Sequence, residues 1–309
     1  MLLTIIIPAF NVSDLISNAL NSVFNGIDPD FAKNLDVIVV NDGSKDSDDL
    51  IEICKNFPDV RVFHHSQNRG TSAARNTAIA ASQGDYVTLL DADDEFVPNW
   101  APVFQAIVSE WPLLANVCFT PCLNDAGNLT CSNPSYKGWL TAGDMACERL
   151  SGEYNPIFRG DYIRRAGYDD LGTRKSCELL SYLRMTQEAP FWITDKVMRR
   201  YHEGGEQSVT HGWTRPDKAA ETVVCFTNVL NRHGDFINSI NPIQYKRMQH
   251  KLLIYKMLSG QGKGFADWWK TRTWNKWWLA TLILLIIGRA GTARLLGMAK
   301  RYNLLRRYG

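Results

Sequence analysis

Four short β-branched runs alternate with helically periodic segments over roughly the first ninety residues, and this order constrains the fold most strongly. Thr4 to Pro8, Asp36 to Val40, Arg61 to His64 and Tyr86 to Leu90 read as strands. Between them, Asp14 to Phe24 and Asp48 to Phe57 carry apolar residues at helical spacing, and Ser72 to Gln83 reads as a small-residue helix closed by Gly84. Such alternation predicts an α/β domain with a mixed, mostly parallel sheet flanked by helices on both faces.

Each strand ends in residues unsuited to a plain connector. The first leads into Pro8-Ala9-Phe10-Asn11 and the second into Asn41-Asp42-Gly43-Ser44-Lys45-Asp46. The third is followed by Asn68-Arg69-Gly70-Thr71-Ser72-Ala73-Ala74-Arg75-Asn76, and the fourth runs into Asp91-Ala92-Asp93-Asp94. In a parallel sheet these ends meet at the carboxyl edge, where open α/β folds bind ligands. Clustered carboxylate oxygens suit Mg²⁺ or Mn²⁺. An aromatic ring, a carboxylate and an arginine beside them suit a nucleoside diphosphate, through stacking, base or ribose hydrogen bonds and phosphate pairing. No Gly-x-Gly-x-x-Gly or Gly-x-x-x-x-Gly-Lys-Ser/Thr follows the first strand, which removes the main support for a dinucleotide-binding or P-loop domain. Asp46 reads as the N-cap of the second helix.

The four motifs, in this order and spacing, resemble glycosyltransferase family 2, whose members have the GT-A fold. The resemblance covers roughly the first 100 residues. It implies that Asp42 bonds the nucleobase and that Phe10 takes the place of a base-stacking tyrosine. It also implies that Pro8, Asn11, Arg75 and Ala92 line the nucleotide-sugar site, that Asp91 contacts ribose or sugar, and that Asp93 is the direct ligand of a divalent metal, Mn²⁺ or Mg²⁺. Phe10 keeps the ring face and lacks the hydroxyl.

Transfer to a hydroxyl needs a base. By the same resemblance Glu178 is that catalytic residue, with Arg184 six residues after it and Cys177 in place of the family's first acid. Asp169 and Asp170 are the runner-up bases. His202, in Tyr201-His202-Glu203-Gly204-Gly205-Glu206-Gln207-Ser208-Val209, matches a closing segment in which histidine joins the metal, and the glycine pair suggests a loop over the donor.

The expected organisation is a catalytic domain over 1–212, with a nucleotide-binding half at 1–100 and an acceptor-binding half at 101–212, followed by a helical extension over 213–309. From Lys263 onward the chain holds ten Lys or Arg and one acid, although its net charge is only +2. The tail also concentrates Trp268, Trp269, Trp274, Trp277 and Trp278 before the apolar run Leu279 to Ile287. Indoles and cations around an apolar segment suit an anionic membrane surface. Trp277 to Ile287 would extend only about 16 Å as a helix, too short to span. The tail is therefore expected to bind peripherally, as a membrane-associating helical extension. A strand begins directly after Met1 with no signal peptide, so the catalytic part is expected at the cytoplasmic face of the plasma or inner membrane. Seven cysteines form no ligand pattern and are expected as free thiols.

These features predict an inverting, metal-dependent glycosyltransferase. It would move a sugar from a UDP-sugar to a saccharide or lipid-linked saccharide, in bacterial exopolysaccharide, lipopolysaccharide or capsule biosynthesis. Alternatives are a sugar-phosphate nucleotidyltransferase, which would normally carry a glycine-rich basic loop after the first strand, and a non-catalytic membrane-associated sugar-nucleotide binder. Nucleic acid is not an expected partner, because the tail's positive charge comes with a long apolar run.

Overall fold

The computed structural model describes the whole chain except residues 58, 134, 203–213, 263, 271–275 and 302–309. The chain divides into two compact units: 1–142 with 150–204, and 143–149 with 205–309.

The first unit opens with β1 (Leu3–Ala9), α1 (Ile16–Phe24), α2 (Pro29–Ala32), β2 (Leu35–Asn41), α3 (Ser47–Lys55), β3 (Val60–His64), α4 (Thr71–Ala81) and β4 (Tyr86–Leu89). The expected strands and helices are present to within a few residues. The short α2 went unforeseen, although its start carries a local signal: Asp28 caps the amides of Asp30 and Phe31, and Pro29 occupies the first turn. There follow β5 (Glu95–Phe96), α5 (Trp100–Glu110), β6 (Val117–Leu123), β7 (Gly138–Leu140), β8 (Tyr154–Arg159), α7 (Gly160–Ala166), α8 (Glu178–Glu188), β9 (Phe191–Ile193) and β10 (Arg199–Arg200), while α6 (Ala142–Ala146), between β7 and β8 in the chain, belongs from residue 143 onward to the second unit.

Among the described residues the strands form one sheet in the order β3-β2-β1-β4-β8-β6-β10-β5, with β9 on β6 and β7 on β9. β3, β2, β1 and β4 run parallel. β8 enters antiparallel between β4 and β6. The central strand β1 is buried along nearly its whole length, so its Ile5, Ile6 and Ile7 serve two helical layers, as a parallel strand covered on both faces requires. The core continues through Leu20 and Val23 of α1 and Phe104 and Ile107 of α5.

Registers fix where the loops emerge. Ala9 pairs with Asn41, and Asn41 with His64, so Phe10, Asp42 and His65 leave one edge side by side. The antiparallel β8 starts at that edge, which brings Glu153 there, and β10, parallel to β6, brings Arg199.

The second unit contains α9 (Pro216–Ile240), α10 (Pro242–Ser259), α11 (Phe265–Lys270) and α12 (Lys276–Arg301). Trp268 stacks on Trp278 at 4.0 Å between ring centroids and donates its indole N–H to the Trp278 carbonyl. The expected apolar run Trp277 to Ile287 lies within α12; directly past its end Gly288 takes φ 70° and ψ −179°, where the helix kinks, and the Thr292 hydroxyl donates to the Leu284 carbonyl. Among the described residues no helix is long and apolar enough to cross a membrane. Cys54, Cys118, Cys122, Cys131 and Cys147 are free thiols, but Cys177 and Cys225 are not, against the expectation for all seven.

Candidate active site

The loops that follow β1, β2 and β3 converge on Asp42, just past β2 and only 3% exposed. Its Oδ1 accepts from the Arg69 amide at 2.9 Å and faces His65 Nδ1 at 2.6 Å, while Oδ2 accepts from the Gly70 amide at 2.8 Å. The carboxylate thus fastens the loop that leads into α4. Gly70 has φ +95°, and a Cβ there would lie 2.0 Å from the Thr173 carbonyl oxygen, so the loop demands glycine for both conformation and space. Beside it, Phe10 leaves β1 with its ring 42% exposed, an available stacking face. Asn11, at φ 53°, receives the Lys45 amide on Oδ1 and donates its own amide to Ser44 Oγ, which ties the first two loops together. Pro8 pairs with Val40 inside the sheet, and Ala92 is buried. Asp46 does occupy the N-cap position of α3, but its carboxylate accepts from the Ser13 amide instead of capping the helix.

The second centre is ionic. Arg75, buried on α4, donates from Nη1 to Glu178 Oε1 at 2.5 Å and from Nη2 to Asp91 Oδ1 at 3.1 Å. Its guanidinium lies 5.4 Å from the Tyr168 ring centroid, and its buried Nε has no hydrogen-bond acceptor. Glu178, the first residue of α8, is half exposed. Arg184 does not pair with it: that guanidinium holds Asp169 at 3.1 Å and the Gly167 carbonyl at 2.7 Å. Asp169 also accepts from Ser181 Oγ, and Asp170 accepts from the Gly172 amide. Of the two runner-up bases, Asp169 is therefore held by α8, and Asp170 is exposed with the Gly172 amide on its carboxylate.

Arg199 was missed by sequence reasoning. Buried on β10, it reaches Asp91 Oδ2 at 3.2 Å, Asp94 Oδ2 at 3.5 Å and Glu153 Oε2 at 3.9 Å. A cation within the strand-like Lys196 to Arg200 was a visible sign, because an arginine buried in a sheet must face carboxylates. Burial opposes ionisation of Asp91, yet Arg75 and Arg199 on its two oxygens hold its carboxyl below the usual range. Asp94 is pushed up to about 7, chiefly by burial and then by Asp91, with Arg199 opposing. Glu153 is raised, first by burial and then by the charges of Glu178 and Asp91, against Arg199.

Asp93 differs from its neighbours. It is exposed toward solvent, and desolvation by the surrounding walls, followed by the charge of Asp91, pushes its carboxyl up. Added positive charge would relieve both effects. Among the described residues no three His, Cys, Asp or Glu side chains could hold a metal by themselves. His202 donates its amide to Asp94 at 2.9 Å, and its ring lies between Asp125 at Nδ1 and Glu95 at Nε2, 3.2 Å away. The glycine pair and the Ser-Val expected to close over the donor lie outside the described residues.

A family model described as glycosyl transferase family 2 matches residues 4–128. WcaA of Escherichia coli, provisionally named a colanic acid biosynthesis glycosyl transferase, is 36% identical over 283 residues, covering 86% of this chain and 96% of WcaA. The GalNAc(5)-diNAcBac-PP-undecaprenol beta-1,3-glucosyltransferase of Campylobacter jejuni is 26% identical over 68% of this chain and 67% of its own. Of other curated relatives that it matches, the chain spans less than half the length: 13% of one and 44% of another. Among solved structures, Staphylococcus aureus TarS in complex with UDP-GlcNAc superimposes with a TM-score of 0.61 at 15% identity, over all of this chain and 94% of the other. The strand order, the carboxylates at the sheet's carboxyl edge and the near full-length match to WcaA lead to one assignment: the chain belongs to glycosyltransferase family 2, with the GT-A fold.

Proposed function

We propose that this chain is an inverting, metal-dependent glycosyltransferase that moves a sugar from a UDP-sugar to a hydroxyl of a saccharide or lipid-linked saccharide during assembly of a bacterial surface polysaccharide. The observation that carries this reading is the convergence of Asp42, Phe10, Arg75, Asp91, Asp93 and Glu178 on one sheet edge, with Arg75 joining Glu178 to Asp91. The names of WcaA and of the C. jejuni enzyme support the setting and the lipid-linked acceptor.

Asp42 accepts an N–H of the base while Phe10 covers its face. Pro8, Asn11 and Ala92 shape the floor, and Asp91 meets ribose or sugar hydroxyls. Arg75, with its unpaired Nε, meets the diphosphate. Asp93 would hold Mg²⁺ or Mn²⁺; since the described side chains cannot complete a metal site alone, phosphate oxygens and water would supply the other positions. That ion, when bound, neutralises charge on the departing diphosphate. His202, between its carboxylates, is a candidate further ligand. Glu178 takes the acceptor's proton as that oxygen bonds to the sugar's anomeric carbon from the face opposite the diphosphate. The bond from that carbon to the phosphate oxygen breaks and the configuration inverts. An arriving diphosphate competes for Arg75 and frees the Glu178 carboxylate for this role.

Residues 1–212 would form the catalytic part and 213–309 the extension, docked peripherally on the cytoplasmic face of the membrane. Leu279, Ile283, Ile286 and Ile287 of α12 are exposed at spacings that share one helix face, whereas Trp278, Thr281 and Leu284 turn inward. Exposed Arg289 and Arg294 follow the Gly288 break, suitably placed for anionic headgroups. Ile283→Asp with Ile286→Asp should abolish flotation with anionic liposomes.

The decisive experiment measures UDP release from a panel of UDP-sugars with Mn²⁺, with and without a membrane lipid extract, for the full chain and for Asp93→Ala. Release that needs both metal and Asp93 supports the reading. Absence of UDP binding would overturn it.

A further inference from the structure

Asp42 has two carboxylate oxygens and about four acceptor positions. Three are filled: His65 and the Arg69 amide on Oδ1, and the Gly70 amide on Oδ2. His65 must present Nδ1–H to a carboxylate, and its other nitrogen meets Thr77 Oγ1 at 2.9 Å, so both ring nitrogens are engaged. The imidazole, 5% exposed, is thus clamped between the loop after β2 and helix α4, and it fixes the rotation of the Asp42 carboxylate.

We propose that His65, backed by Thr77, is a positioning residue that determines which nucleobase the site accepts, because it fills Oδ1 and leaves a single acceptor position, on Oδ2. This rests on the nucleotide-sugar reading given above. One free acceptor matches a base that offers one ring N–H between two carbonyls, as uracil does. The two-donor edge of guanine, N1–H with the exocyclic amine, needs both carboxylate oxygens and finds Oδ1 occupied. Cytosine presents an acceptor at N3 and is repelled. Without His65 one acceptor position opens on Oδ1 while the Arg69 and Gly70 amides still hold the carboxylate, so guanine gains relative to uracil.

The test is calorimetric titration of the full-length protein with UDP, GDP, CDP and inorganic pyrophosphate, each with Mn²⁺, for wild type, His65→Ala, His65→Asn and Thr77→Val. Wild type should prefer UDP over GDP and CDP. His65→Ala should narrow the UDP to GDP ratio about tenfold, the scale of one hydrogen bond to a charged group that guanine then gains on Oδ1. Its pyrophosphate affinity should stay unchanged. His65→Asn, whose amide can replace Nδ1–H, should recover much of the loss, and Thr77→Val should shift the ratio in the same direction by less. Equal weakening of UDP and pyrophosphate would mean that His65 merely holds α4, which carries Arg75, and the proposal would fall. It would also fall if His65→Ala kept the wild-type UDP to GDP ratio. Wild-type protein that binds pyrophosphate but does not prefer UDP would overturn the base assignment alone, whereas failure to bind any of the four would overturn the nucleotide-sugar reading itself.

Discussion

Arg75 Nη1 lies 2.5 Å from Glu178 Oε1 and joins α4 to the first residue of α8 across 103 positions of sequence. The pair brings together the two halves of the proposed chemistry, since the same guanidinium also holds Asp91. Arg75→Lys keeps the charge but cannot reach two carboxylates in a planar fork. Turnover should fall at least about a hundredfold, comparable to loss of a preorganised donor at the reacting centre, while thermal unfolding changes little. A near-normal rate would show that charge alone suffices there.

Glu178→Gln keeps the shape and removes the proposed base. Turnover should drop by roughly 10²- to 10⁴-fold with UDP affinity within about twofold of wild type. Should Glu178→Gln stay active, Glu153, whose carboxyl is raised at the same edge, becomes the next residue to replace.

Arg199 is surrounded by Asp91, Asp94 and Glu153. Arg199→Met leaves buried Asp94 without its cation, and breaking such a pair costs about 3–5 kcal/mol. Denaturant unfolding should show that loss, and Arg199→Lys should recover part of it. A variant as stable as wild type would mean that Asp94 simply takes up a proton.

Burial lowers the pKa of His250, whose Nδ1 faces the buried Thr281 hydroxyl at 3.1 Å. The unfolded chain therefore binds this proton at a higher pH than the folded one. The stability contribution is full above the unfolded value, about 6.5, and is lost as pH falls through it toward the folded value. Unfolding of the second unit, followed by fluorescence of the Trp268–Trp278 pair, should shift to lower temperature below about pH 6.5. His250→Gln should remove that part of the pH dependence, so identical slopes for the two proteins would refute it.

Much of the first unit was legible in the sequence. Alternating periodicities located its main strands and helices, because a strand buried on both faces must be continuously apolar and a covering helix must not be. The acidic end of β4 and the Asn-Asp-Gly-Ser loop were visible as breaks in apolar runs. Glu153 carried no such signal, since a lone acid between Gly152 and Tyr154 looks like any surface residue until β8 runs antiparallel to β4. His65 was equally silent beside His64; only the register that ends β3 against Asn41 places one histidine in the site.

The sequence by itself determined the elements, their order and the chemistry available at the strand ends, all of which follow from local propensity and burial period. Tertiary structure alone decided the partners. Arg75 faces Glu178 rather than solvent, Arg184 serves Asp169 rather than Glu178, and Arg199 sits among three acids. Ion pairs between residues as far as 108 positions apart depend on how strands are paired and helices packed, and no one-dimensional pattern encodes them. The apolar run of the tail was equally plain in the sequence, but the kink at Gly288 just past its end was not, because glycine permits a positive φ without requiring one.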